Sequence, residues 1–229
     1  MAGKLNRYYK IIPNHPAKIL GTGIEGFVEE VTLKSPWIKK RSAAKKSRYT
    51  FRPCDYTHLK KQVAQTRRTW RVFKKAGLLV PEFYIPIFRK KSKYYLSVLM
   101  ENLEKKYGKL IAVNDSLGKP YFLKQLKMET DRKLISELGE DLATIVSLGF
   151  QPYCFDFWQF YKKPDGSYGR VIADLSLIGE TVNHKNLEYK QFIETRFYRH
   201  IREELLPFFG QREKVEFLKA YTRKLNELL

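Results

Sequence analysis

The segment from Lys18 to Lys34, Lys-Ile-Leu-Gly-Thr-Gly-Ile-Glu-Gly-Phe-Val-Glu-Glu-Val-Thr-Leu-Lys, constrains the fold more than any other stretch. Its glycines follow the pattern Gly21-x-Gly23-x-x-Gly26, with apolar, strand-like residues on both sides. Glycine lets a backbone come close to phosphate oxygens and offers amide N–H donors to them. In a dinucleotide-binding fold such a pattern opens a helix. Here Phe27 to Leu33 has a strand-like pattern, so the expected order is strand, glycine turn, strand. The plain alternative is an ordinary hairpin that uses glycine as its default turn residue.

The rest of the chain divides by charge and periodicity. Between Lys34 and Lys75 the basic residues run almost without interruption, and Asp55 is the only acid. Within that stretch Leu59, Val63, Thr66, Trp70 and Phe73 share one helical face, which predicts a helix over 57–76 that stops at Gly77. Phe83–Phe88 and Tyr94–Met100 read as two strands of a hairpin around the basic turn Arg89–Lys93. A polar stretch from Glu101 to about Thr130, with Gly108, Gly118 and Pro120, reads as a connection. Leu134, Ile135, Leu138, Leu142, Ile145 and Val146 then mark an amphipathic helix ended by Gly149. Pro164-Asp-Gly166 predicts a hairpin between 158–161 and 170–173. Two helices, about Asn186–Leu206 and Arg212–Leu229, close the sequence.

This order predicts an α+β, two-lobe fold. The expected lobes are a strand-rich N-lobe over 1–103, with the glycine loop and a basic helix, and a short, mainly helical C-lobe over 104–229.

The formal net charge of +20 at 229 residues implies attraction to a polyanion. Nucleic acid, an anionic membrane surface and a phosphorylated substrate all qualify, with the Lys34–Lys75 segment as the contact. No apolar run approaches the ~20 residues that span a bilayer, so no transmembrane segment is expected. Met1–Lys10 lacks an apolar signal core, and a cytoplasmic location is expected. Cys54 and Cys154 are then expected to be reduced. The four histidines are scattered, with no zinc-site spacing.

Four further positions carry candidate chemistry. Lys39 or Lys40, in Trp37-Ile-Lys-Lys-Arg41, would place a cation on bound phosphates. Strand alternation puts one of the two inside and the other outside. Asp174 follows the apolar run Val171-Ile-Ala173, and a carboxylate at the end of a buried strand needs a cation or hydrogen bonds. Magnesium bridging phosphates is one such cation, and a structural ion pair is the alternative. Asp156, between Phe155 and Phe157, is placed to orient or deprotonate a substrate hydroxyl, or to cap a turn. Gln159 offers the nearest amide to serve as a second metal ligand.

Helix, loop with Asp156, hairpin with Asp-Gly, then Ile172-Ala-Asp-Leu-Ser176 resembles the catalytic core of protein-kinase-like enzymes. The spacing from Asp156 to Asp174 matches the catalytic-loop and metal-site aspartates of that fold. The short segment after Asp174 is more similar to the small atypical kinases: the RIO type, the small kinase of the KEOPS complex and the lipopolysaccharide-core heptose kinases. The resemblance covers roughly residues 18–180. It implies ATP and magnesium, with Gly21, Gly23 and Gly26 on the phosphates, Lys39 or Lys40 beside them, Asp174 on the metal and Asp156 as base.

Three departures accompany it. Cys154-Phe-Asp-Phe-Trp-Gln-Phe-Tyr161 stands where His-x-Asp-x-x-x-x-Asn is expected, so Tyr161 occupies the second metal ligand's place. No acid lies between Tyr56 and Pro81 to pair the phosphate lysine, which leaves Gln62, Gln65 or Thr66. Asp-Leu-Ser replaces Asp-Phe-Gly. The sequence therefore supports three readings: an atypical kinase acting on a hydroxyl of an anionic or assembly-bound substrate, a pseudokinase serving as a binding module, and a basic nucleic-acid-binding protein of another fold.

Overall fold

The computed structural model describes residues 10–13, 16, 18–23, 26–35, 38–48, 55–84, 87–90, 93–96, 98–111, 121–180 and 191–229. The expectations for Met1–Tyr9, the turn tip at 24–25, Pro36-Trp37, Gly118 with Pro120, and the start of the helix at 186–190 lie outside the described residues. The chain forms two compact units. The first comprises Met1–Arg68 with Pro81–Lys106, and the second Thr69–Val80 with Tyr107–Leu229. The main break thus falls three residues past the expected 103/104 boundary, and Thr69–Val80 joins the second unit.

The first unit is built on one antiparallel sheet. Its strands are β1 (Lys10–Pro13), β2 (Ile19–Gly23), β3 (Gly26–Ser35), β4 (Ile38–Arg48), β5 (Phe83–Tyr84) and β8 (Val98–Glu101), in the order β1-β3-β4-β8-β5. β2 pairs with the other end of β3, from Ile19↔Glu29 to Gly23↔Gly26. The expected 83–100 hairpin is present in two parts. β6 (Ile87–Lys90) and β7 (Lys93–Leu96) form the outer ribbon, and β5 with β8 continues it into the large sheet.

Helix α1 (Tyr56–Lys75) buries Leu59, Val63 and Phe73 of the expected stripe and half-buries Thr66 and Trp70. Leu59 and Val63 pack with Tyr56, Phe83 and Tyr94, and Thr69 and Phe73 are buried further along. Gly77 at φ 83° ends it. The Leu78 N–H donates to the Phe73 carbonyl and the Gly77 N–H to Lys74, which satisfies the last carbonyls in a Schellman arrangement. After β8, Asn102 caps the short helix α2 (Leu103–Tyr107) by accepting the Lys105 N–H at 3.2 Å.

The second unit packs two long helices against a small sheet. Helix α3 (Met128–Ser147) buries Leu134, Ile135, Leu138, Leu142, Ile145 and Val146, the residues of the predicted apolar face. Helix α4 (Gln211–Leu228) lies along it. Ion pairs tie Glu129 to Arg212, Arg132 to Glu216 and Glu140 to Arg223, an ascending order that makes the two helices run in the same direction. Gly139 permits this approach, because a Cβ there would meet the Phe217 carbonyl oxygen at 2.5 Å. At the start of α3 the Met128 N–H donates to buried Glu213 at 3.0 Å. A carboxylate from the neighbouring helix thus satisfies an amide that has no partner within its own helix.

The sheet of this unit has the order β12-β11-β9, from β9 (Lys109–Ile111), β11 (Trp158–Lys162) and β12 (Tyr168–Ile172). Gly166 at φ 85° makes the predicted Pro-Asp-Gly turn between β11 and β12. β10 (Phe150–Pro152) and β13 (Ile178–Glu180) form a separate antiparallel pair. Residues 193–205 are helical but not regular: Ile193–Phe197 and Ile201–Leu205 are π-helical turns around a short α-helical turn. The described architecture is mixed α and β with antiparallel sheets. No helix among the described residues is long and apolar enough to cross a membrane.

Candidate functional site

In the first unit the glycine segment forms the turn end of the β2–β3 hairpin. Gly21 and Gly23 close β2, Gly26 opens β3, and Gly23 stands opposite Gly26. The strand register shifts between Ile19 and Gly21. Bulges of this kind re-aim a strand end. The glycines therefore join two strands and open no helix, which excludes the dinucleotide-binding arrangement.

Register also locates the cations. Gly26 pairs with Arg48, Val28 with Lys46 and Glu29 with Lys45, while Ser35 pairs with Ile38 at the opposite end. Lys40 lies eight residues from Arg48 along β4, about 26 Å of extended strand. Lys39 and Lys40 are therefore at the far end of the strand from the glycine turn. The expectation that either serves the phosphates meets this geometric obstacle.

Sequence reasoning passed over Lys45, Lys46 and Arg48, which the register brings to the glycine end. A signal for them was present. In an antiparallel hairpin the partner of a residue lies as far beyond the connection as that residue lies before it. Lys45 is already engaged, with its Nζ 2.9 Å from Glu29 Oε1. On the neighbouring position Glu30 is 6% exposed and its charge is met by Lys18 and Lys105, with a hydrogen bond from Asn102 at 3.3 Å.

In the second unit the two aspartates flank the same end of one hairpin. β11 and β12 pair from Trp158↔Ile172 to Lys162↔Tyr168, so Asp156 lies two residues before the ladder and Asp174 two residues after it. Ala173 N–H and Asp174 N–H both donate to the Phe157 carbonyl, at 2.8 and 3.2 Å. Asp156 is exposed and Asp174 half-buried, while Phe157, Trp158 and Ile172 beside them are buried. Rigid apolar residues thus hold two carboxylates at the open end of a hairpin.

Cys154 reports on the same place. Burial pushes its thiol up, an Asp156 backbone N–H bonded to the sulfur works against this, and the Asp156 and Asp174 carboxylates push it further up. In a Cys54→Ser background, the pH midpoint for alkylation of Cys154 is expected above the ordinary thiol range. Asp174→Asn should move it down by removing one like charge. An unchanged midpoint in Asp174→Asn would mean that the carboxylate does not face the thiol.

Other residues have defined structural partners. Gln159 donates from Nε2 to the Ile111 carbonyl at 2.7 Å and the Phe160 carbonyl at 3.1 Å, so its amide ties β11 to β9. Tyr161 is buried, stacks on Tyr107 at 5.0 Å and covers Gly169, where a Cβ would lie 2.3 Å from the tyrosine ring. Burial pushes its phenol up, so it stays neutral at ordinary pH. His200 stacks on Phe155 at 5.1 Å, and its buried Nε2 has no hydrogen-bond partner among the described residues. Nothing in the spacing of the histidines pointed to it, because a π-turn in the 193–205 segment sets its position.

Behind the hairpin, Arg170 forms a bidentate ion pair with a buried carboxylate. Its Nε and Nη2 donate to both oxygens of Asp141, at 2.9 and 2.8 Å, and its Nη1 donates to Glu137. Asp141 is 6% exposed. Burial pushes its carboxyl above the ordinary range, Arg170 pulls against that, and the bidentate geometry keeps the pair ionic. The buried Trp158 indole N–H is directed near the same carboxylate without forming a hydrogen bond.

No group of three or more His, Cys, Asp or Glu able to hold a metal occurs among the described residues. In comparisons with known proteins, no family model and no curated protein matches the chain.

Proposed function

We propose that the chain is an ATP-dependent phosphotransferase of the small atypical kinase type, with the two-lobe kinase-like architecture. The observation that carries this reading is that Asp156 and Asp174 both flank the open end of the β11–β12 hairpin, where the Asp174 N–H donates to the Phe157 carbonyl and both carboxylates act on the Cys154 thiol. The glycine hairpin of the first unit supports it, because its three glycines join strands as a phosphate loop of the kinase kind does.

In this reading Gly21, Gly23 and Gly26 offer backbone amides to phosphate oxygens. Asp174 holds magnesium, which neutralises charge on the phosphates when bound. Asp156, the more exposed carboxylate, accepts the proton from an acceptor hydroxyl as its oxygen is phosphorylated. The cation beside the phosphates comes from the glycine end of β4, where Lys46 and Arg48 stand in register with Val28 and Gly26. Gln159 is assigned to the sheet and not to the metal.

A second reading, a kinase-like binding module without turnover, draws on two observations. Helix α1 carries no acidic residue to pair a phosphate lysine. Tyr161 is sealed into the β11–β12 hairpin where a second metal ligand is expected. Two variants separate the readings by ATP turnover and nucleotide binding. In an enzyme, Asp156→Ala retains magnesium-dependent ATP binding and loses turnover by 100-fold or more, on the order of a missing general base. Asp174→Ala loses the binding itself. Wild-type protein that binds ATP with magnesium and shows the same turnover as Asp156→Ala would establish the binding module.

A further inference from the structure

Helix α1 presents a face that the phosphotransferase reading does not use. Successive residues of an α-helix turn by about 100°. On that projection Lys60, Lys61, Arg67, Arg68, Arg71, Lys74 and Lys75 fall on one arc roughly 140° wide, opposite the buried stripe of Leu59, Val63, Thr69 and Phe73. All seven are exposed, and the helix contains no acid. From Lys60 to Lys75 the helix rises about 22 Å, so the basic ridge is long enough to meet several phosphates of a regular polyanion.

We propose that this face of α1 binds the phosphodiester backbone of B-form duplex DNA, without base readout. The cations sit on one continuous α-helix, a regular element that suits a regular polyanion. A membrane-surface helix needs an apolar face to bury among the lipids. The apolar face of α1 is already spent in the protein interior, and the basic arc holds only Ala64 besides polar residues. A single strand is gripped by stacking on exposed rings. Tyr56 and Trp70, at the margin of the arc, are half-buried, with Lys60 Nζ 5.2 Å and Lys74 Nζ 4.7 Å from their ring centres. The rounded ridge of a helix fits the rim of the B-form major groove, about 12 Å wide, better than the deep, narrow groove of A-form RNA. Contacts from these lysines and arginines to phosphate oxygens position a duplex and carry no sequence information themselves.

The test is anisotropy of a fluorescent 20-base-pair DNA duplex, titrated with the whole chain at several salt concentrations. Wild-type affinity should fall with a log–log salt slope of about −4 to −6, and Arg67→Ala/Arg71→Ala/Lys75→Ala should lose about 2–3 units of it. That triple should weaken binding at least tenfold at low salt. Lys127→Ala/Lys133→Ala/Lys219→Ala removes equal charge from exposed sites in the second unit and should lose less than about one unit. Arg67→Lys/Arg71→Lys/Lys75→Arg keeps the charges and should keep the slope, which guards against loss through misfolding. The proposal is overturned by absence of duplex binding, by equal losses in the two alanine triples, or by a charge-retaining triple that behaves like the alanine one. Tighter binding to single-stranded DNA, to an RNA duplex or to phosphatidylserine vesicles than to the DNA duplex also overturns it.

Discussion

Replacing Arg170 with methionine is expected to destabilise the second unit by about 3–5 kcal/mol, the usual cost of removing one partner from a buried ion pair. For a unit of this size that lowers the melting midpoint by roughly 10 °C. The cost comes mainly from what remains. Asp141 keeps its burial and loses its bidentate donor, and Glu137 loses a second one. Methionine replaces part of the apolar contact of the arginine stem, so lost packing contributes little.

The effect is also pH-dependent, with a definite sign. Burial already raises the Asp141 carboxyl in the folded state, and Arg170 moderates the rise. Without Arg170 the folded-state value climbs further above the unfolded one. A carboxyl raised on folding favours the folded state while it is protonated. That contribution is lost as the pH rises from the ordinary carboxylate range through the raised value. The variant should therefore lie closest to wild type near pH 4–5 and be most destabilised at pH 7–8, by the same linkage. Denaturant melts of wild type and Arg170→Met at the two pH values check this. A loss below about 1 kcal/mol at neutral pH, the range of an exposed ion pair, would contradict the burial of the pair.

The second large effect is expected at Gly139, where two physical tendencies oppose each other. Alanine in place of a mid-helix glycine normally stabilises by about 0.8–1 kcal/mol. At Gly139 the added Cβ would lie 2.5 Å from the Phe217 carbonyl oxygen and 3.0 Å from the Tyr221 nitrogen. Both are backbone atoms of α4, so no side-chain rotation relieves the overlap. The helices must separate, and Ser136–Glu216 and Met128–Glu213 then lengthen with them. Overpacking of this kind costs about 1–3 kcal/mol or more, and a clash against two backbone atoms belongs at the upper end. Gly139→Ala should be net destabilising by about 2 kcal/mol, and Gly139→Val should be worse. A raised melting temperature in Gly139→Ala would show that α3 and α4 are not in close contact at this point.

Elements that carry their own periodicity were legible in the sequence. The stripes of α1 and α3 are recognisable because each keeps one face turned inward for about four turns. The β11–β12 hairpin was legible from Pro164-Asp-Gly166, a turn whose chemistry is local. Strands that depend on distant partners were not. β9 is three residues long and β10 pairs with β13 across the 158–172 hairpin, so neither has a pattern of its own. The split of 83–101 between two sheets reflects which edge of β4 accepts β8, and no residue within the segment encodes that.

The candidate site was legible to the same degree. Asp156 and Asp174 emerged from flanking apolar residues and a local turn. The glycine hairpin emerged from its composition. Lys39 and Lys40 are nearer the glycines in sequence than Lys46 and Arg48, and the antiparallel register of β3 with β4 reverses that order, so closer in sequence is farther along the strand. Arg170 and Asp141, 29 residues apart, have nothing in their local sequence that announces a pair. The placement of His200 depends on π-turns, which no periodic pattern foreshadows.

The most direct measurement is calorimetric titration of the wild-type chain with ATP, with and without magnesium. Heat of binding that requires magnesium and disappears in Asp174→Ala is the expected result. Absence of binding at millimolar ATP, or binding that is equal in Asp174→Ala, would contradict a nucleotide site that uses this aspartate.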